Sequence, residues 1–179
     1  MTNYYTGVGS RAAPNNILEE MQVIGKIMAD KNFILRSGGA VGSDSAFEAG
    51  CMDSENDFRE IFIPWNTYNG YERSLHNIIP NDGLDIRKAI AITKSVHPFW
   101  DVIDTPAKIL HTRNVFQVLG KDLCSPSMCV ICWSEVNDNP YSRGGTSTAI
   151  AIAERSDIPV FNLYLNEDRL KLNEIIEVI

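Results

Sequence analysis

Residues 33–51 read Phe-Ile-Leu-Arg-Ser-Gly-Gly-Ala-Val-Gly-Ser-Asp-Ser-Ala-Phe-Glu-Ala-Gly-Cys. Phe33–Ser37 is rich in the residues that favour a pleated strand. It stops at Gly38-Gly39, and a helical stretch follows from about Ser43 to Cys51. A strand that empties through a glycine turn into a helix amino end is half of a strand–helix–strand unit.

The same pattern recurs on both sides of it. Tyr4–Val8 meets Gly9-Ser10-Arg11, and Pro14 then opens a helix with Ile17, Met21, Ile24 and Met28 on one buried face. Glu60–Pro64 is a third strand, followed by a long irregular stretch, Trp65 to Asp85. Ile86–Val96 is helical, and Thr105-Pro106 opens another helix, with Thr105 as its cap and Gly120 at its exit. Met128–Trp133 is continuously apolar, as a strand covered on both faces must be. A helix begins near Thr146, Ile158–Leu163 is the fifth strand, and a last helix starts at about Glu167. The expectation is an α/β chain with a three-layer, Rossmann-like, doubly wound parallel sheet. It has about five core strands in the order 3-2-1-4-5 and one domain spanning residues 1–179.

The chain has 179 residues, 16 basic against 23 acidic, and a formal net charge of −7. Proteins that hold a nucleic-acid duplex through its phosphates are usually basic, so the balance favours a small discrete anion and makes nucleic acid the less favoured partner. No apolar run approaches the length of a membrane span, and Met1–Tyr5 show no leader pattern, which gives no membrane partner and a cytoplasmic address. Cys51, Cys124, Cys129 and Cys132 lack the repeated spacing of a zinc site and read as small apolar fillers, so no metal and no cofactor is expected.

In an open parallel sheet, ligands collect beyond the carboxyl ends of the strands. Three strands end there in small polar sequence: residues 7–11, residues 37–44 and residues 142–148. Each feeds a helix amino end, whose free N–H groups and positive dipole favour an anion. Arg11 and Arg113 carry planar forks suited to phosphate, although Arg113, inside a helix, reads equally as a salt-bridged residue. Asp44 and Glu48, spaced i,i+4, share a helical face and are open to acid–base work, to a ribose contact, or to a plain surface role. The aromatics around Trp65 and Trp100 either stack on a base or pack the core.

Taken in order, G-V-G-S-R (7–11), L-R-S-G-G-A-V-G-S-D-S-A-F-E-A-G (35–50), R-N (113–114) and G-G-T-S-T-A-I-A-I-A (144–153) resemble the core of the DNA-processing protein A (DprA/Smf) family. They resemble, more widely, the SLOG superfamily that also holds the LOG cytokinin phosphoribohydrolases, including its compact single-domain members in bacteria and tailed phages. The likeness runs from about Tyr5 to Leu163. It implies a pocket for a nucleotide or DNA phosphate lined by Gly9, Ser10, Arg11, Ser37, Gly38, Gly39, Asp44, Arg113, Asn114, Gly144, Gly145, Thr146, Ser147 and Thr148, and it implies a homodimer or higher homo-oligomer. Two departures stand out. Glu48 occupies the place where DprA proteins usually carry histidine. The catalytic glutamate that follows the glycine loop in LOG enzymes is replaced here by Ile150 or Ala151.

The leading expectation is therefore binding, in the sense of sensing or sequestering a nucleotide-derived small molecule. An N-glycosidase acting on a nucleoside 5′-monophosphate is the alternative, and it would need another carboxylate: Asp44, Glu48, Asp101 or Glu135. Single-stranded DNA binding like that of the DprA core is the third.

Overall fold

The computed structural model describes residues 3–80, 85–136 and 144–179. Strand β1 (Tyr4–Gly9) lies at the middle of a parallel sheet. On one side it pairs with β2 (Ile34–Ser37), which pairs with β3 (Arg59–Phe62), and beyond that lies the two-residue β4 (Asn77–Ile78). On the other side β1 pairs with β5 (Val130–Trp133), which pairs with β6 (Val160–Asn162). The order is β4-β3-β2-β1-β5-β6. The five expected strands take their expected positions. The sixth, β4, adds to the edge from within the stretch that sequence left irregular, where Ser74 and Glu72 hold Asn77 by hydrogen bonds and no apolar alternation announces a strand.

Six described helices cover the two faces: α1 (Asn15–Asp30), α2 (Ser43–Met52), α3 (Ile86–Val96), α4 (Thr105–Leu119), α5 (Gly145–Arg155) and α6 (Asn166–Val178). Period-two alternation along the strands divides the core. Tyr5, Leu35, Ile61 and Ile131 face Met21, Ile24, Phe47, Leu172 and Ile176 of α1, α2 and α6. Val8, Phe62, Val130 and Cys132 face Phe116, Val118, Ala149 and Ile152 of α4 and α5. Each such side chain, taken wholly out of water, contributes about 1.5–3 kcal/mol before entropy is counted.

One local expectation is corrected. The cap of α4 is Asp104, whose carboxylate accepts from the Ala107 N–H at 2.9 Å; Thr105 is already inside the first turn, with Pro106 beside it. Asp caps as well as Thr, and Pro106 fixes where the helix begins. No described helix is long and apolar enough to cross a membrane.

Candidate functional site

The strand order reverses between β1 and β5: from β1 the chain runs one way to β2, and later returns to the other side. Beyond the carboxyl ends of these strands lies a cavity of about 540 Å³. Its walls come from the turn after β1 (Gly9, Ser10, Arg11), from the start of α2 (Asp44), from α4 (His111, Arg113, Asn114, Gln117), from the end of β5 (Trp133, Glu135) and from the start of α5 (Gly144, Gly145, Thr146).

The first two loops are joined backbone to backbone. Ser10 O accepts from Ser43 Oγ at 2.8 Å and from Ser43 N at 3.4 Å, while Ser10 N donates to Trp133 O at 3.0 Å. Gly42 has φ of +90°, and a Cβ there would stand 2.8 Å from Arg11 Cα. Only glycine permits both that conformation and that approach. The close contact sets Arg11 at the cavity's edge, where it is exposed and donates from Nη2 to the Tyr68 hydroxyl at 3.4 Å.

The second glycine loop is occupied by the chain itself. Asp44 Oδ2 accepts from the N–H groups of Gly38 at 3.2 Å and Ala40 at 3.4 Å, in the first turn of α2. Asn69 Nδ2 donates to Gly39 O at 3.0 Å, and the Tyr71 ring packs on Gly39. Burial pushes the Asp44 carboxyl pKa upward, opposed by the Arg113 charge and the loop amides. Ser37, Gly38 and Gly39 consequently lie outside the cavity lining.

Arg113 is buried. Its Nη1 donates to the carbonyls of Gly38 and Phe62 (3.1 Å for the latter), and its Nε donates to Asn114 Oδ1 at 3.1 Å. Burial lowers its pKa and Asp44 works against that shift; a guanidinium starting so far above neutrality stays charged. Much of the fork that sequence offered to phosphate is therefore committed to the ends of β2 and β3. Asn114 Nδ2 donates to Gly145 O at 2.8 Å and so fixes α5 against α4.

The third loop is different. Helix α5 has Gly144 as its cap residue and no side-chain cap. Gly145 and Thr146, in its first turn, line the cavity. A helix amino end without a side-chain acceptor leaves N–H donors for an anion. Ser147 and Thr148 lie behind it; Thr148 Oγ1 is 2.8 Å from His111 Nδ1. Residues 142–143 of this loop lie outside the described residues.

Of the four carboxylates singled out in the sequence, Asp44 and Glu135 line the cavity and two do not. Glu48 is buried with the Tyr71 hydroxyl and with Arg59, whose Nε is 3.1 Å from Oε1. That pairing is how a buried carboxylate is accommodated at this position: Glu48 offsets the Arg59 charge and lies outside the cavity lining. Asp101 is an exposed partner of Lys94 at 3.2 Å. Trp65 and Trp100 are likewise not in the cavity wall; Trp65 packs edge-on against Tyr68, and Trp100 lies under Lys108.

His111, Gln117 and Trp133 are among the lining residues that the sequence did not single out for the site. Gln117 follows from Arg113 by helical spacing, since positions 110, 113, 114 and 117 share a face, and His111 stands three residues before Asn114. Burial, with His97 and Arg113 nearby, pulls the His111 pKa down to about 4. The unfolded chain holds that proton up to about pH 6.5, so this side chain's contribution is complete above pH 6.5 and is lost as pH falls toward 4. Discounted for partial exposure, the loss is on the order of 1–2 kcal/mol. Urea midpoints at pH 7 and pH 4.5 should differ less in His111→Gln than in the parent chain; equal differences would remove the assignment.

No family model matches the sequence, and no curated protein matches it. Among solved structures, the Moco carrier protein of Chlamydomonas rheinhardtii superposes with a TM-score of 0.55 at 15% identity, over 96% of this chain and 82% of that one. The two share a fold. It is the Rossmann-like fold that the ordered motifs imply. DNA processing protein A from Helicobacter pylori, described for its single-stranded DNA binding mode, aligns over 96% of this chain and 81% of that one at 14% identity. Its TM-score of 0.37 is too low to bear on function.

Proposed function

We propose that the chain binds a nucleotide or nucleotide-derived small molecule, holding its phosphate between Arg11 and the amino end of α5. The observation that carries this reading is the meeting of Arg11, Arg113 and Thr146 in one cavity at the reversal of strand order. Its volume falls in the usual range for small-molecule sites. Arg11 supplies the exposed charge, Gly145 and Thr146 supply N–H donors, and Arg113 supplies field from behind. Asp44 and Glu135 offset the two guanidinium charges, so a phosphate is held by local contacts with Arg11 and the α5 amides, and a long polyanion gains little from the field of the cavity. The shared fold of a protein named as a carrier accords with holding a ligand for sensing or sequestration.

Calorimetry against mono-, di- and cyclic nucleotides tests the reading. Arg11→Ala is expected to weaken binding about tenfold or more, the loss of a charge-assisted hydrogen bond, with the melting temperature unchanged. Folded protein that gives no heat with any nucleotide would remove the reading.

Glu135 in the cavity wall favours one further reading, hydrolysis of the N-glycosidic bond of a nucleoside 5′-monophosphate. In this reading the exposed Glu135 would supply the carboxylate that Ile150 and Ala151 do not. Chromatography for free base decides between the readings, and release that survives Glu135→Gln rules this carboxylate out.

A further inference from the structure

Arg11 is exposed at the edge of the cavity, so a phosphate held there leaves whatever is bonded to its far side at the rim. That rim is aromatic. Buried Tyr68 takes the Arg11 Nη2 hydrogen bond at 3.4 Å, and its ring meets Trp65 with 5.4 Å between centroids and 89° between planes. A perpendicular neighbour covers at most one face of an indole, and Trp65 is 40% exposed, whereas Trp100 and Trp133 are buried. On the glycine-loop side, exposed Val41 precedes the Gly42 that abuts Arg11. The backbone presenting Trp65 is strained: Thr67 has φ of +66° and Asn69 of +48°, and the left-handed region is an outlier for a β-branched residue. Thr67 N donates to Tyr71 O at 2.9 Å and Asn69 Nδ2 to Gly39 O at 3.0 Å, which holds the bend in place. Strain kept in this way clusters at ligand clamps. A stray surface apolar residue needs no explanation; an indole clamped beside the arginine of a phosphate site does.

We propose that Trp65 is a stacking platform for a second planar ring, which makes the ligand a dinucleotide. One nucleoside occupies the cavity, the bridging phosphate lies between Arg11 and α5, and the outer base rests on the indole. This rests on the nucleotide-binding reading above and narrows it to a class. Trp65 and Val41 offer the outer group apolar surface and no charge, which suits a ring and does not suit a further phosphate. Stacking tolerates any base, because each has a π-face, so the outer subsite selects for a ring and leaves the choice of inner nucleotide to the cavity. A longer strand adds a phosphate with every nucleotide, and the net charge of −7 opposes each one.

The test is calorimetry and tryptophan fluorescence of the full chain, Trp65→Phe and Trp65→Ser. The probes are the four common nucleoside 5′-monophosphates, the dinucleotides made from them with a 3′–5′ phosphodiester or a 5′–5′ pyrophosphate bridge, and single-stranded dodecanucleotides. In the parent chain at least one dinucleotide should bind roughly tenfold or more tighter than its mononucleotide, the worth of one base stacked on an aromatic ring. It should also quench tryptophan emission further than the mononucleotide does. Trp65→Ser should lose both the advantage and the extra quenching, and Trp65→Phe should keep most of the advantage. Both variants should bind the mononucleotide as the parent does, which shows them folded. Dinucleotides no tighter than mononucleotides, or an advantage that survives Trp65→Ser, overturn the outer subsite and leave the phosphate site standing. Loss of mononucleotide binding in Trp65→Phe overturns it too, since Trp65 then serves the inner site. A dodecanucleotide that binds more than about tenfold tighter than every dinucleotide makes the ligand a strand and overturns the proposed class. Failure of every probe to bind the parent chain overturns the phosphate site and this inference together.

Discussion

Arg113→Met is expected to lower stability by about 3–5 kcal/mol, the usual result of removing one partner from a buried charge network. Methionine fills the volume, so the loss isolates the guanidinium. Two carbonyls at the carboxyl ends of β2 and β3 lose a donor, and Asp44 loses the charge that offsets its burial. Urea unfolding measures the loss, and a change below about 1 kcal/mol would mean that the network does not hold these strands. Adding Asp44→Asn should recover part of the loss, because the orphaned carboxylate disappears with it; a strictly additive double variant would disconnect the pair.

A second large effect belongs to the far face of the sheet, where α1 and α2 cross. A Cβ on Gly50 would press into the Gln22 carbonyl, and one on Gly25 would lie 2.5 Å from Phe47 O. Here neither neighbour is a pliable side-chain tip; both are helix backbone. Gly50→Ala gains about 1 kcal/mol of helix propensity. Against this, the two helices must part, at a typical overpacking cost of about 1–3 kcal/mol and more for larger residues. We expect a net destabilisation on the order of 2 kcal/mol for Gly50→Ala and more for Gly50→Val, read by thermal melting. Gly144→Ala, where the added methyl meets open space, is the comparison and should shift stability little. A Gly50→Ala protein as stable as the parent would mean that the helices are not in backbone contact.

Strand–turn–helix alternation made most of the architecture legible. Apolar runs such as Met128–Trp133 mark covered strands, here Val130–Trp133 with Met128 exposed ahead of it, and Gly9, Gly42 and Gly144 fall where loops approach one another or open a helix. Strand β4 was not legible because two residues carry no periodicity. The cap of α4 was off by one because Asp104 and Thr105 cap equally well by residue type. At the site, residue type located the loops but not their use. Nothing in Ser37–Asp44 as a string says that the loop's amides will turn to its own carboxylate, since that depends on how α2 starts. Gln117 could not be singled out by type at all; only the face that α4 turns toward the cavity shows it.

The sheet finishes on either flank with very little strand, Asn77–Ile78 on one side and Val160–Asn162 on the other. So brief a border offers few open backbone groups to another polypeptide, which is how natural sheets resist growing into ribbons and fibrils. If copies of this chain do assemble, as its resemblances imply, they should therefore meet through side chains on the helical layers, not by extending the sheet from molecule to molecule.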